Sequence, residues 1–185
     1  MDKEEIMRLT EEYGGKYGLN HSKRILHIVS LIAGDQEYDR DVVWTSAFLH
    51  DWGSYSPWKV DGIDHAMRSK QVAEGFLTKA GCDEGFIGRV LECIELHHSG
   101  TPDKSIEAKL LSDADAIDYL GVVGVLRDFS TKPRDLRKAY ESVESRKERL
   151  KSILFFEESK AMAAERIRRA ERILSEFVEE SFGCF

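Results

Sequence analysis

DRDVVWTSAFLHDWG, residues 39–53, is the stretch on which the reading of the chain turns. Val42, Val43, Ala47, Phe48 and Leu49 recur at three- and four-residue spacing, which predicts an amphipathic helix over 39–50. The helix closes on His50-Asp51, and Trp52-Gly53 follow at once. A carboxylate at the end of so apolar a segment costs desolvation energy unless a cation or donors meet it. Two adjacent side chains at a helix terminus can both turn toward one ion. Imidazole nitrogen and carboxylate oxygen are good ligands for Zn, Mn, Fe or Ni. WGSYSPWKVDG, residues 52–62, then reads as a loop rich in turn formers and aromatic rings.

The helical period continues on both sides. A first helix is predicted over 2–12, ending before Gly14-Gly15. A second is capped by Asn20, buries Ile25, Ile28, Val29 and Ile32, and stops at Gly34. Asp64 caps a helix over 65–79 that ends at Gly81, and Asp83 caps another over 84–97. SGTPDKS is a loop. A sixth helix starts near Ser105 and carries KLLSDADAIDYLGVVGVLRD. Pro133 breaks the chain, and 134–150 and 153–180 read as the closing helices. Strict alternation is nearly absent, so the fold class is all-α, with seven to eight helices. At 185 residues and 42% hydrophobic composition, one domain over 1–185 is expected.

Composition excludes several classes. The net charge of −7 argues against binding of a nucleic-acid polymer, because no basic excess exists to neutralise phosphates. One small phosphate ester in a local basic pocket remains compatible with it. Cys82, Cys93 and Cys184 form no C-x-x-C pair, so a reducing cytoplasm is expected. MDKEEIMRLTEEYGG is too acidic for a signal peptide, and no apolar run approaches the roughly 20 residues that span a bilayer.

Of the six histidines, His21, His50, His65, His97 and His98 fall at predicted helix starts, helix ends or loop edges, and His27 lies inside a helix. Side chains from different helices converge most readily at such ends. The ordered set His21, His50-Asp51, Asp115 resembles the H…HD…D pattern of the HD-domain superfamily of metal-dependent phosphohydrolases. HSKRI at 21–25 resembles that family's H-S-x-R-V opening. AFLHDWG at 47–53 is similar to its A-L-L-H-D-I-G, and SDADAIDYL at 112–120 to its D-A-D-R-L-D segment. DHAMRSKQVAEGFL and ECIELHH match two intermediate histidine elements. The resemblance covers about 20–128, and the C-terminal helices at 134–180 carry no motif.

The resemblance implies an HD-type helical bundle with a divalent ion (Mn, Fe, Mg, Zn, Ni or Co) on His21, His50, Asp51 and Asp115. Asp113 is an alternative ligand, or a partner of a ligating histidine. On a helix Asp115, Asp118 and Tyr119 share one face, with Asp113 well round from it. His65, His97 and His98 match positions that hold a second ion or contact phosphate. The implied activity is hydrolysis of a small, nucleotide-like phosphate ester by attack of metal-bound water at phosphorus, with Asp51, Arg24, His65 and His97 as catalytic candidates. Arg24 lies on the His21 face of its helix; Lys59, Arg68 and Arg127 are further candidates to meet phosphate charge. Two features depart from the family pattern: Trp52 follows the HD pair in place of a small aliphatic residue, and Ala116 replaces a basic one. Trp52, Tyr55 and Trp58 could stack on a base, and packing over the loop is the expectation for them. Two other classes use the same residues differently: a di-iron oxygenase, and a non-catalytic helical module with a structural metal. The oligomeric state is open.

Overall fold

The computed structural model describes residues 2–185, and the described residues contain eight α-helices, one 3₁₀ turn and no strand. The helices are α1 (Lys3–Ile32), α2 (Arg40–Leu49), α3 (His65–Lys79), α4 (Glu84–Leu96), α5 (Ile106–Asp118), α6 (Gly121–Thr131), α7 (Leu136–Lys151) and α8 (Glu157–Glu180). The 3₁₀ turn, Trp52–Ser54, follows α2. No described helix is long and apolar enough to cross a membrane. The chain divides into two compact units, Met1–Ser112 and Asp113–Phe185, and α5 begins in the first and ends in the second.

Aspartates start the first four helices. Asp2, Asp39, Asp64 and Asp83 each accept backbone N–H groups from the first turn of α1, α2, α3 and α4. Within the first unit α1 packs on α2, α2 on α4, and α3 on both α4 and the 3₁₀ turn. Ile6, Ile25, Ile28, Val42, Phe48, Leu49, Leu77, Val90 and Ile94 are buried between them. The faces they form are those of the three- and four-residue spacing in the sequence.

The first two predicted helices are one element with a kink. Gly15 alone leaves helical geometry, at φ 64° and ψ −173°, and the helix resumes directly after it. Asn20 is therefore an exposed residue inside α1 and caps nothing. A single left-handed residue, cheap only for glycine, turns the chain without ending the helix.

In the second unit α6 packs on α7 and α8, around Val125, Val143, Ala170 and Leu174. The predicted sixth helix is broken here. It stops at Asp118, and α6 begins after Leu120 with Gly121 at φ 75°. Gly124 lies so close below the Tyr119 carbonyl that a Cβ would collide with it, so the turn requires glycine at that position. The last helix starts four residues later than predicted, at Glu157. The Asp113 carboxylate accepts the N–H groups of Phe155 and Phe156 at 3.0–3.1 Å just before that start.

Candidate metal centre

Four elements of the first unit bring their histidines together. His21 comes from the middle of α1 and is fully buried. His50 is the residue that ends α2, and Asp51 follows it into the 3₁₀ turn. His65 is the first residue of α3, and His97 and His98 lie just past the end of α4.

His21 Nε2 and His50 Nε2 are 3.3 Å apart, and Asp51 Oδ2 is 3.7 Å from the first and 3.6 Å from the second. Two ligand bonds of about 2.0–2.1 Å meeting at a tetrahedral angle span about 3.3–3.4 Å, so two nitrogens and a carboxylate at these spacings fit one divalent ion. His50 Nδ1 lies 3.0 Å from the Ala47 carbonyl oxygen and His97 Nδ1 2.6 Å from that of Ile94. A carbonyl only accepts, so Nδ1 is the donor in each ring, which leaves Nε2 as the nitrogen that can turn a lone pair to an ion. This is the tautomer that a metal ligand needs.

The second histidine group adjoins the first through Asp51. Asp51 Oδ1 is 4.0 Å from His65 Nε2, which in turn lies 3.0 Å from His98 Nε2. His65, His97 and His98 each offer a ring nitrogen within 4.8 Å of the others, as His21, His50 and Asp51 offer one atom each. His97 is buried, His65 partly open and His98 exposed, so the second group faces outward. Both His97 and His98 turn toward His65 because α4 has already ended at Leu96.

Local packing explains why these groups meet. A Cβ at Gly53 would lie 2.6 Å from the His65 carbonyl oxygen, so glycine after the HD pair lets the start of α3 sit against it. The Gly53 amide donates to Ser69 Oγ at 2.8 Å. Partial burial works against ionisation of Asp64, but the Met67 amide, the adjacent His65 and the Ala66 amide outweigh it and hold the carboxyl below its usual value. Two supports went unread in the sequence. Lys104 donates to the Leu96 and Ser99 carbonyls at 3.0 and 2.9 Å, and Ser112 Oγ donates to the His97 carbonyl at 2.5 Å. A lysine shortly after a helix end was the available signal for the first.

Asp115 lies on α5 in the second unit with 2% exposure, a degree of burial that carboxylates tolerate only with a cation or donors close by. Asp113 serves the Phe155 and Phe156 amides. Arg127 donates to buried Asp118 at 2.7 Å and lies over the Tyr119 ring at 3.9 Å, so the structure spends this guanidinium inside the second unit. Arg68 donates to the Trp58 carbonyl at 2.6 Å, and Lys59 is exposed near Asp61. Arg24 is half-buried on α1, one turn after His21. Trp52 is fully buried, stacked on Trp58 at 4.5 Å between centroids, and its Nε1 donates to Thr10 Oγ1 at 2.9 Å. These rings pack over the loop, as expected. Burial pushes the Cys93 thiol up to about 12, which makes it a poor nucleophile.

A protein-family model described as the HD domain matches residues 18–120, more than half of the chain. Ribonuclease Y of Acidothermus cellulolyticus is 29% identical over 144 residues, which are 76% of this chain and 25% of that protein. The chain thus spans about a quarter of that relative's length. A crystal structure of a predicted HD superfamily hydrolase from an uncultured Thermotogales bacterium is similar at TM-score 0.69 and 25% identity, covering 96% of this chain and 92% of that one. Bacillus subtilis YpgQ, crystallised in complex with ADP, shares the fold at TM-score 0.73 and 20% identity, over 96% and 93% of the two chains.

Proposed function

Because the chain belongs to the HD-domain family, we propose that it is a metal-dependent phosphohydrolase acting on a small, nucleotide-like phosphate ester. The observation that carries this reading is the meeting of His21 Nε2, His50 Nε2 and Asp51 Oδ2 within 3.7 Å of one another, with the His50 proton held on Nδ1. His21, His50 and Asp51 would hold the ion, and Asp115 is assigned as the fourth donor. Its support is the likeness of SDADAIDYL to the family's D-A-D segment. A divalent ion bound there supplies Lewis acidity to a phosphoryl oxygen and makes a coordinated water acidic enough to attack near neutral pH.

The rest is work for the chain's own side chains. Asp51 presents one oxygen to His21 and His50 and the other to His65, so a single carboxylate can orient the attacking water and receive its proton. His65, His97 and His98 line the open side, where they would hold a phosphate oxygen or a second ion. Arg24 would meet the charge of the phosphoryl group from α1. No thiol, serine or lysine in this cluster offers a covalent route.

The ester is taken to be small on the strength of the net charge of −7, which disfavours a long polyanion. ADP is the ligand of YpgQ, a protein of the same fold. The test is a panel of nucleoside mono-, di- and triphosphates, cyclic nucleotides and oligoribonucleotides, assayed with Mn, Mg, Co, Ni, Zn and Fe. The expected result is metal-dependent release of phosphate or nucleotide from a small ester, abolished in His50→Ala. Turnover confined to oligoribonucleotides would replace the substrate class, and oxygen uptake without phosphoester turnover would replace the reaction.

A further inference from the structure

Tyr55, in the loop behind the HD pair, fills a notch that two glycines cut into α1. A Cβ built on Gly14 would lie 2.6 Å from the ring's Cε2 and Cζ, and one on Gly18 would meet the hydroxyl and lie 3.0 Å from Cζ. Gly18 is one helical turn before His21, and Tyr55 is four residues after Asp51. The same two segments are joined a second time, where Trp52 Nε1 donates to Thr10 Oγ1 at 2.9 Å with both residues buried. Thr10 and Gly14 lie four residues apart before the Gly15 kink and Gly18 lies after it, and both glycines meet the same Tyr55 ring. Within the turn itself, the Tyr55 and Ser54 amides bond to the Trp52 and Asp51 carbonyls at 3.1 and 2.8 Å, which links Tyr55 to Asp51 through the local backbone.

We propose that Tyr55 is a positioning residue for the metal centre: seated in the Gly14/Gly18 notch, it fixes the HD turn against α1 and so sets the spacing of Asp51 to His21. This rests on the metal reading above. His21 is carried by α1 and Asp51 by the HD turn, so their 3.7 Å separation depends on how closely these elements approach. Glycine is otherwise unfavourable in a helix interior, by about 1 kcal/mol relative to alanine. Gly18, inside the helical run that follows the Gly15 kink and carries His21, gives up that propensity for close approach to Tyr55. The atoms that a new Cβ would meet are the far end of a half-buried side chain and not backbone. Alanine at Gly18 should therefore expel the ring and loosen the loop, leaving the helices intact.

The experiment compares wild type, Gly18→Ala, Tyr55→Ala and the double variant on the full chain. Three readouts are cobalt affinity by chelator competition with the Co(II) visible spectrum, amide hydrogen exchange over 52–58, and helical circular dichroism. Each single variant should weaken cobalt binding about ten- to a hundredfold, the range for groups that orient metal ligands. Exchange over 52–58 should quicken while the helical signal stays at the wild-type level. The double variant should bind cobalt no more weakly than Tyr55→Ala alone, because a methyl at Gly18 has nothing to displace once the ring is gone. Wild-type loop exchange in Gly18→Ala, or losses that add in the double variant, would overturn the proposal. A wild type that takes up no cobalt would defeat the metal reading, and with it the claim that the notch serves the centre. Loop exchange would then report separately whether the notch anchors the turn.

Discussion

Asp51→Asn removes one charge while conserving volume and shape, and the geometry sets the size of its effect. Asp51 Oδ2 lies 3.6–3.7 Å from the two facing nitrogens, and the residue is part-exposed at 19%. A cation within reach of both nitrogens is within about 4 Å of that oxygen, where a pair of unit charges at an effective dielectric near 20 is worth about 4 kcal/mol. A second positive charge on the ion raises that figure, and the hydration that a part-exposed carboxylate regains when the ion leaves lowers it again. With tenfold per roughly 1.4 kcal/mol, the expected loss is about three decades in metal affinity. Competition against a chelator series with Mn, Co and Zn measures the loss directly. Melting curves with and without chelator should show the wild type stabilised by metal and the variant indifferent to it. Phosphoester turnover should fall to the level of metal-free enzyme. An asparagine variant that keeps wild-type affinity and turnover would refute the assignment of Asp51 as a ligand.

Four further outcomes are expected. Thr10→Val leaves the Trp52 N–H buried without its acceptor and should lower stability to urea by about 1–3 kcal/mol. Asp113→Ala uncovers the Phe155 and Phe156 amides and should lower stability by about 1–2 kcal/mol with metal content unchanged, whereas Asp115→Ala should lose the metal; the reverse pattern in elemental analysis would exchange their roles. Arg24→Ala should raise KM about tenfold or more through loss of a charged contact to phosphate, while a fall in kcat at constant KM would place that contact in the transition state. Metal titration should give one tight equivalent per chain in wild type and in His65→Ala; two equivalents, the second lost in the variant, would make the outer histidines a second metal site.

How far the sequence could be read depended on the range of the interaction involved. Helical period, the aspartate caps at Asp64 and Asp83, and the stops at Gly34 and Gly81 are decided within a few residues, and each stands where the pattern placed it. The HD pair at the end of α2 was legible for the same reason. Gly15 misled because glycine marks a break without saying whether the helix resumes after it. The break between α5 and α6 hid inside a continuous apolar pattern, where only a carbonyl pressed against Gly124 reveals the turn. Long-range pairings left no trace in the pattern at all. Trp52 meets Thr10 across 42 positions, and the Arg127 guanidinium, a candidate for phosphate, is held by Asp118.

Helix ends explain why this site forms where it does. His50 and His97 occupy equivalent places, each the residue that closes its helix, and each donates its Nδ1–H to the carbonyl three residues before it. Carbonyls in a last turn lack helical partners and carry the negative end of the helix dipole. One hydrogen bond therefore does two things at each end: it satisfies an orphan acceptor and fixes the imidazole tautomer with Nε2 outward. Two helix C-termini also add partial negative charge near the place where a cation would sit. His65 opens α3 beside Asp51, where Gly53 admits the close approach. The donors are thus set by bonds that the helices need to end and begin, so their geometry is largely settled before any ion arrives, and a bound metal is spared much of the ordering cost that a flexible set of ligands would impose.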